Sequence, residues 1–263
     1  YSRWEWGASM HHYPLKRKWS SPPFPFFFVP GMALPRECFM MDFHVMLTIG
    51  GFGGGLDAAS ALRYAALAGL RFVGLVLPSD GSNFSVLQTL PAEVRRLSLY
   101  ANVEARTGVE LRHVPPALLP SVVQEAREAG AEFVLVHGET LSDQVEPGTN
   151  FAAIEAGADI LAHPGLLDEN AAAFAAERGV ALEFVSAPRH ALTNAHVAAM
   201  ALQFGCMLVR GSSAGTMAEM TTRSFWPLIV KGADVFGKTD GKSNIMELLK
   251  KSENALFEKL MRR

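Results

Sequence analysis

The sequence predicts an α/β fold: a closed or nearly closed barrel of parallel strands wrapped by helices, behind an extended, irregular N-terminal tail. Three observations carry this. Short apolar runs alternate with helical stretches about seven times between Phe39 and Gly211, the pattern of repeated β-α units. The runs show little polar alternation, as in strands covered on both faces. Polar side chains recur where the runs end, all along the chain rather than at one switch point, which favours a barrel over an open doubly wound sheet.

Residues 1–40 obey neither period. They hold Trp4, Trp6, Trp19, Tyr1, Tyr13 and the Phe-rich run Phe24–Phe28. Five basic side chains (Arg3, Lys16, Arg17, Lys18, Arg36) stand against two acidic ones (Glu5, Glu37). Such a stretch cannot build a core of its own, yet it is more aromatic than an ordinary solvated tail. Apolar surface of this kind marks contacts, so residues 1–40 are expected to meet a protein partner. The chain begins at Tyr1 rather than Met, which fits a processed form, an incomplete fragment, or read-through upstream of Met32 or Met40.

The regular pattern starts at Phe39. FMMDFHVMLTI reads as the first buried strand, carrying Asp42 and His44, and Gly50–Gly55 as a loop. That loop lacks the Lys-Ser/Thr of a phosphate-binding loop and the glycine spacing of a dinucleotide site. Leu56–Leu70 has helical period with Gly69 at its end, and Phe72–Leu77 is a second strand. Leu87–Ala105 reads as one helix, Val109–Leu111 as a short strand, and Leu118–Ala129 as a helix closed by Gly130. Phe133–Val136 and Ile160–Ala162 are strands that end directly in His137 and His163, with a short helix from Asn150 to Ala156 between them. Asn170–Arg178 is a helix stopped by Gly179, Ala181–Val185 a strand, Asn194–Phe204 a helix stopped by Gly205, and Cys206–Gly211 the last strand. Residues 217–263 are helical, with a basic end (Lys250, Lys251, Lys259, Arg262, Arg263).

Composition narrows the function. A net charge of −2 argues against a broad nucleic-acid footprint. Cys38 and Cys206 match no zinc or redox spacing, so an intracellular, reducing compartment is expected, either cytoplasm or an organellar (for example mitochondrial) matrix. No apolar run approaches the ~20 residues of a membrane span. The side chains expected at strand ends are Asp42, His44, Glu110, His113, His137, Glu139 and His163, with His190 and His196 flanking the start of a helix. In a barrel these converge on one face, and imidazoles with carboxylates suit zinc, manganese or iron.

The blocks DFH (42–44), GVELRHVPP (108–116), HGET (137–140), AAIEAGADILAHPG (152–165), AAERGVALEF (175–184) and LTNAHVA (192–198) resemble the PHP (polymerase and histidinol phosphatase) family of metal-dependent phosphoesterases. The resemblance covers about residues 40–255. It implies a distorted (β/α)7 barrel over residues 41–263 with C-terminal helices, and it implies Glu110, His137, His163 and His44 as metal ligands. The chain departs from the family pattern at Met46, Gly50 to Phe52, Leu77, Ser212 and Ala214, where further ligands belong. Apolar and small side chains there cannot replace imidazole or carboxylate. The reading is a PHP-like barrel that has lost hydrolysis and serves as a structural or interaction subunit of a larger assembly. Basic residues at both ends leave room for an RNA or ribonucleoprotein partner. The alternative is a phosphoesterase with a reduced one-metal site of zinc or manganese, assisted by Glu139 or His44.

Overall fold

Among the described residues, seven strands form a single sheet in sequence order: β1 (Met40–Met46), β2 (Leu70–Ser79), β3 (Glu104–Leu111), β4 (Phe133–His137), β5 (Ile160–Ala162), β6 (Ala181–Val185) and β7 (Leu208–Gly211). Every neighbouring pair is parallel. The structure, a computed structural model, describes residues 40–48, 55–222, 224–234 and 244–263. The tail of residues 1–39, its expected partner contacts and the loop Gly50 to Phe52 lie outside the described residues. The sheet curls until its edges meet: Val45 bridges Ala214 in parallel, and the Met46 N–H donates to the Ala214 carbonyl at 2.8 Å. The barrel is therefore nearly closed, as the sequence predicts.

Helices α1 (Ala58–Ala68), α2 (Leu90–Ala101), α3 (Leu119–Glu128), α4 (Thr149–Glu155), α5 (Glu169–Arg178) and α6 (Asn194–Phe204) return the chain between strands. Local chemistry sets their ends. The Asp57 carboxylate accepts the Ser60 N–H at 2.7 Å to start α1, and Asp168 does the same for Ala171 at 2.9 Å in α5. Gly179, at φ 65°, stops α5 in the left-handed region where glycine pays no steric cost. After β7 come α7 (Trp226–Ala233) and α8 (Ile245–Met261), so the stretch expected to be helical contains two separate helices. No helix among the described residues is long and apolar enough to cross a membrane.

One expected element is corrected. The helix read as Leu87–Ala105 is interrupted and shorter: a 3-10 turn at Phe84–Gln88, then α2, which ends at Asn102 in the left-handed conformation (φ 55°). Val103 is buried, and Glu104 and Ala105 pair with Phe72 and Val73, so β3 begins five residues before Val109. Tertiary pairing overrides local helical propensity here.

Strand alternation sorts side chains into two layers. Val134, Val136, Leu161, Leu182 and Leu208 pack outward in the main core beneath the helices. Met41, Phe43, Phe72, Phe133, Ile160 and Ala181, near the amino ends of their strands, form a separate inner cluster with Leu256, Phe257 and Leu260 of α8. Thus α8 supplies a floor to the barrel. Gly108 admits the Phe133 ring to that interior, since a Cβ there would sit 2.7 Å from the ring. Above the apolar floor, the inner positions toward the carboxyl ends turn polar.

Candidate metal centre

Four strands and one strand exit bring His44, Glu110, His137, His163 and Glu183 into one buried cluster, each at most 2% exposed. His44 gets there through a bulge. Asp42 pairs with Val73 and Val45 with Leu75, so three steps on β1 face two on β2. A bulge of this kind re-aims a side chain, and here consecutive residues both reach the interior: Phe43 in the apolar floor and His44 in the polar cluster. His163 stands just beyond β5 at φ 32°, a conformation that costs a non-glycine residue about 1–3 kcal/mol. Glu183 holds it there by accepting both the His163 N–H (2.9 Å) and a contact from Nδ1 (2.7 Å).

Glu183 also lies 2.8 Å from His44 Nδ1 through its other oxygen, so one carboxylate orients two imidazoles by the same ring atom. On the far side of those rings, His44 Nε2 is 3.3 Å from Glu110 Oε2, and His163 Nε2 is 2.8 Å from His137 Nδ1. His137 Nδ1 is in turn 3.1 Å from Glu110 Oε1. Two overlapping triads, His44–His163–Glu183 and Glu110–His137–His163, each have the donor spacing of a metal site.

The cluster is incomplete in its own hydrogen bonds. His44 Nε2, Glu110 Oε2 and His137 Nε2 are buried atoms without a hydrogen-bond partner. The 3.3 Å between His44 Nε2 and Glu110 Oε2 is ion-pair range, but the direction is wrong for a hydrogen bond, so both atoms stay unsatisfied. Buried polar atoms are rarely left so; His44 Nε2 and Glu110 Oε2 face each other and fit a cation that takes their lone pairs, whereas His137 Nε2 lies on the ring edge toward Asp143.

Electrostatics agree with a site built for positive charge. Burial opposes ionisation of His44, but Glu183 and Glu110 outweigh it and raise the imidazole to about 10. Burial likewise works against the two carboxylates, and His44 with its neighbouring histidines holds both below the usual range, Glu110 far below. Burial lowers His163, and burial together with the adjacent His163 brings His190 down to about 3. In metal-free protein the His44 contribution to stability is fully present below its ordinary 6.5 and is lost as pH rises toward about 10. The Glu110 and Glu183 contributions are present above their ordinary 4.5 and are lost as pH falls below it. The buried neutral His163 and His190 act the other way, costing stability as pH falls below 6.5, so from these groups the chain in chelator is expected to melt highest near pH 6.5 and progressively lower toward pH 10. Thermal melts of wild type and His44→Phe across that range check this; parallel profiles on the alkaline side would contradict it.

The remaining sequence candidates divide clearly. Asp42 is buried beside the cluster and accepts from the backbone N–H groups of His44 (3.0 Å) and Ser212 (2.9 Å); burial raises its carboxyl. His190 packs on His163 with ring centroids 4.0 Å apart. Exposed His113 stands at the rim, 6.1 Å from the His137 ring. His196 is elsewhere, its Nε2 at 2.8 Å from the Leu167 carbonyl. Glu139 caps α4, accepting the N–H groups of Gly148 (3.0 Å) and Asn150 (2.9 Å). The carboxylate at the solvent edge is Asp143, 3.3 Å from His137 Nε2 and 4.0 Å from Arg112. A cavity of about 200 Å³ between His113, Val114, Gln144 and Glu146 reaches His137.

Glu183 is the member that sequence reasoning missed. Its signal was a lone carboxylate inside the apolar run ALEFV, where a charged side chain is almost never buried without a partner. Gly211 on β7 makes room for it: a Cβ there would lie 1.8 Å from Glu183 Oε1 and 2.8 Å from His44 Cβ. Gly211→Ala is expected to cost about 1–3 kcal/mol by overpacking, and to reduce metal uptake as well, read by melting and by metal analysis. At positions where the PHP resemblance implies further ligands, Leu77 and Ala214 are buried and apolar, and the Ser212 hydroxyl donates to the His44 carbonyl at 3.2 Å.

No family model matches the chain. A protein of Methanocaldococcus jannaschii named MJ1295, described as uncharacterized, is 32% identical over 200 residues, 75% of this chain and 91% of that protein. Among solved structures, a Xaa-Pro dipeptidase with bound methionine is 14% identical over 85% of this chain and 74% of that one, with a TM-score of 0.49. The adenine deaminase of Arthrobacter aurescens is 12% identical over 76% and 78%, with a TM-score of 0.47. A further uncharacterized protein gives 12% identity and a TM-score of 0.43, and the chain spans 65% of its length, just under two thirds. Scores this low leave the fold resting on the chain's own strand order.

Proposed function

The chain belongs to the family of the Methanocaldococcus jannaschii protein MJ1295, and from its buried histidine–carboxylate cluster we propose a one-metal hydrolase of the PHP type acting on phosphoesters. The observation that supports this most is the pair of unsatisfied buried atoms His44 Nε2 and Glu110 Oε2, 3.3 Å apart beside the Glu110–His137–His163 triad. His44, Glu110, His137 and His163 would hold the ion; the donor set suits zinc or manganese. Such an ion supplies a Lewis acid that makes water a nucleophile near neutral pH.

The chain's own residues do the rest. Glu183 accepts from Nδ1 of both His44 and His163, which leaves the two Nε2 lone pairs free to ligate; such outer carboxylates fix tautomer and ring angle. Asp143, at the open edge beside His137, is placed to accept a proton from water. Of the groups expected to assist, His44 belongs to the ligand set, and Glu139 keeps the loop after β4 in place by capping α4.

A second reading, a barrel without hydrolysis serving as a subunit of an assembly, is favoured by Leu77, Ser212 and Ala214 standing where further ligands belong. The full chain purified with zinc or manganese is expected to hold one ion per molecule. It is also expected to cleave a phosphomonoester such as p-nitrophenyl phosphate, and to lose both properties in His137→Ala. A folded wild-type chain that takes up neither metal overturns the proposal. A loaded chain without turnover leaves the second reading standing.

A further inference from the structure

Among the described residues, two buried side-chain nitrogens beside the cluster have no hydrogen-bond partner, and neither belongs to the ligand set. The first is on His190. It is 2% exposed and lies over His163, with the His137 ring 5.6 Å away edge-on. Its Nδ1 has two hydroxyls within reach, Thr140 Oγ1 at 2.9 Å and Ser142 Oγ at 2.8 Å. A hydroxyl can give or take a proton, so Nδ1 is served in either tautomer, and the ring can carry its proton on Nε2 when an acceptor faces that atom. Nε2 is buried and makes no hydrogen bond. The second donor is Arg112 Nε, also buried and unbonded, 3.6 Å from Glu110 Oε1 but outside hydrogen-bond geometry.

An unsatisfied buried polar nitrogen costs about 1–3 kcal/mol, so two of them around one mouth need an explanation. A guanidinium never offers a lone pair, so Arg112 is no further metal ligand, and His190 is none when its proton is on Nε2. What they match is an acceptor-rich anion. We propose that His190 Nε2–H and Arg112 Nε–H bind the non-bridging oxygens of a tetrahedral oxyanion, the phosphoryl group of the substrate, at the open side of the metal ligands. This rests on the metal-dependent reading above. It makes both residues substrate-holding groups, with Thr140 and Ser142 as positioning residues that hold His190 by Nδ1.

The test uses the full chain loaded with zinc, with metal content measured first and inorganic phosphate as the titrated probe. His190→Leu and Arg112→Met are each expected to keep the zinc of the wild type and to weaken phosphate binding about tenfold or more, as loss of a charge-assisted or buried hydrogen bond does. Long-range ¹⁵N NMR of the zinc-loaded chain with phosphate bound is expected to show His190 protonated at Nε2, and Thr140→Val/Ser142→Ala to erase that preference. Unchanged phosphate affinity in both single variants, with zinc retained, overturns the inference alone. Loss of zinc in His190→Leu also overturns it, by making His190 a ligand. A wild-type chain without zinc sinks the metal reading and this inference together. Should His190→Leu fail to fold, the double hydroxyl variant and Arg112→Met decide the matter.

Discussion

Glu253→Ala is expected to destabilise the protein by about 3–5 kcal/mol, the cost of stranding one half of a buried ion pair. Glu253 on α8 receives Nε (2.6 Å) and Nη2 (2.5 Å) of Arg210 in a two-pronged contact, and the backbone N–H of Arg210 at 3.2 Å. Both residues are at most 4% exposed. Burial, with nearby Asp42, raises the Glu253 carboxyl even though Arg210 opposes that shift. Removing the carboxylate leaves a buried guanidinium without its two-pronged partner, beside the Trp226 ring at 5.7 Å. Equilibrium unfolding in urea measures the loss. A double variant, Arg210→Met/Glu253→Leu, is expected to recover most of it, because an apolar pair of similar volume needs no desolvation. A single variant costing less than about 1 kcal/mol would place the pair among the weak surface contacts instead.

The second large effect concerns Glu183→Gln. An amide has one acceptor oxygen, so it can serve His44 or His163 but not both, and its NH₂ group would face the other ring. Zinc affinity, measured by competition with a chromophoric chelator, is expected to fall about 10–100-fold, the usual cost of removing a carboxylate behind ligating imidazoles. The alkaline loss of stability tied to His44 is expected to shrink in the same variant, because one of its two carboxylate neighbours is gone. An unchanged zinc constant would mean that Glu183 neither ligates nor orients anything.

Much of this architecture was legible residue by residue. Runs such as FVLV and DILA announced buried strands, and their final histidines announced which end carries polar groups. Helix stops at Gly69, Gly179 and Gly205 were legible because glycine in the left-handed region is a local signal. Three features were not legible, each for a physical reason. The amino half of β3, Glu104 to Thr107, mixes charges into the strand because Arg106 reaches the Leu260 carbonyl of α8, a contact more than a hundred residues away in sequence. The β1 bulge leaves no compositional mark, yet it decides that His44 faces inward. Glu183 carries no strand-end signal, because it occupies the middle of its strand.

The position of α8 has a consequence for how the protein is made. Its side chains Leu256, Phe257 and Leu260 are what Phe72 and its inner neighbours rest against. A nascent chain can therefore have all seven strands outside the ribosome and still present a wet, aromatic-lined hollow. At a few to tens of residues added per second, that vulnerable interval lasts on the order of seconds. Stable closure then comes as one late event rather than unit by unit, and until it comes, a chaperone has the exposed ring of phenylalanines to hold.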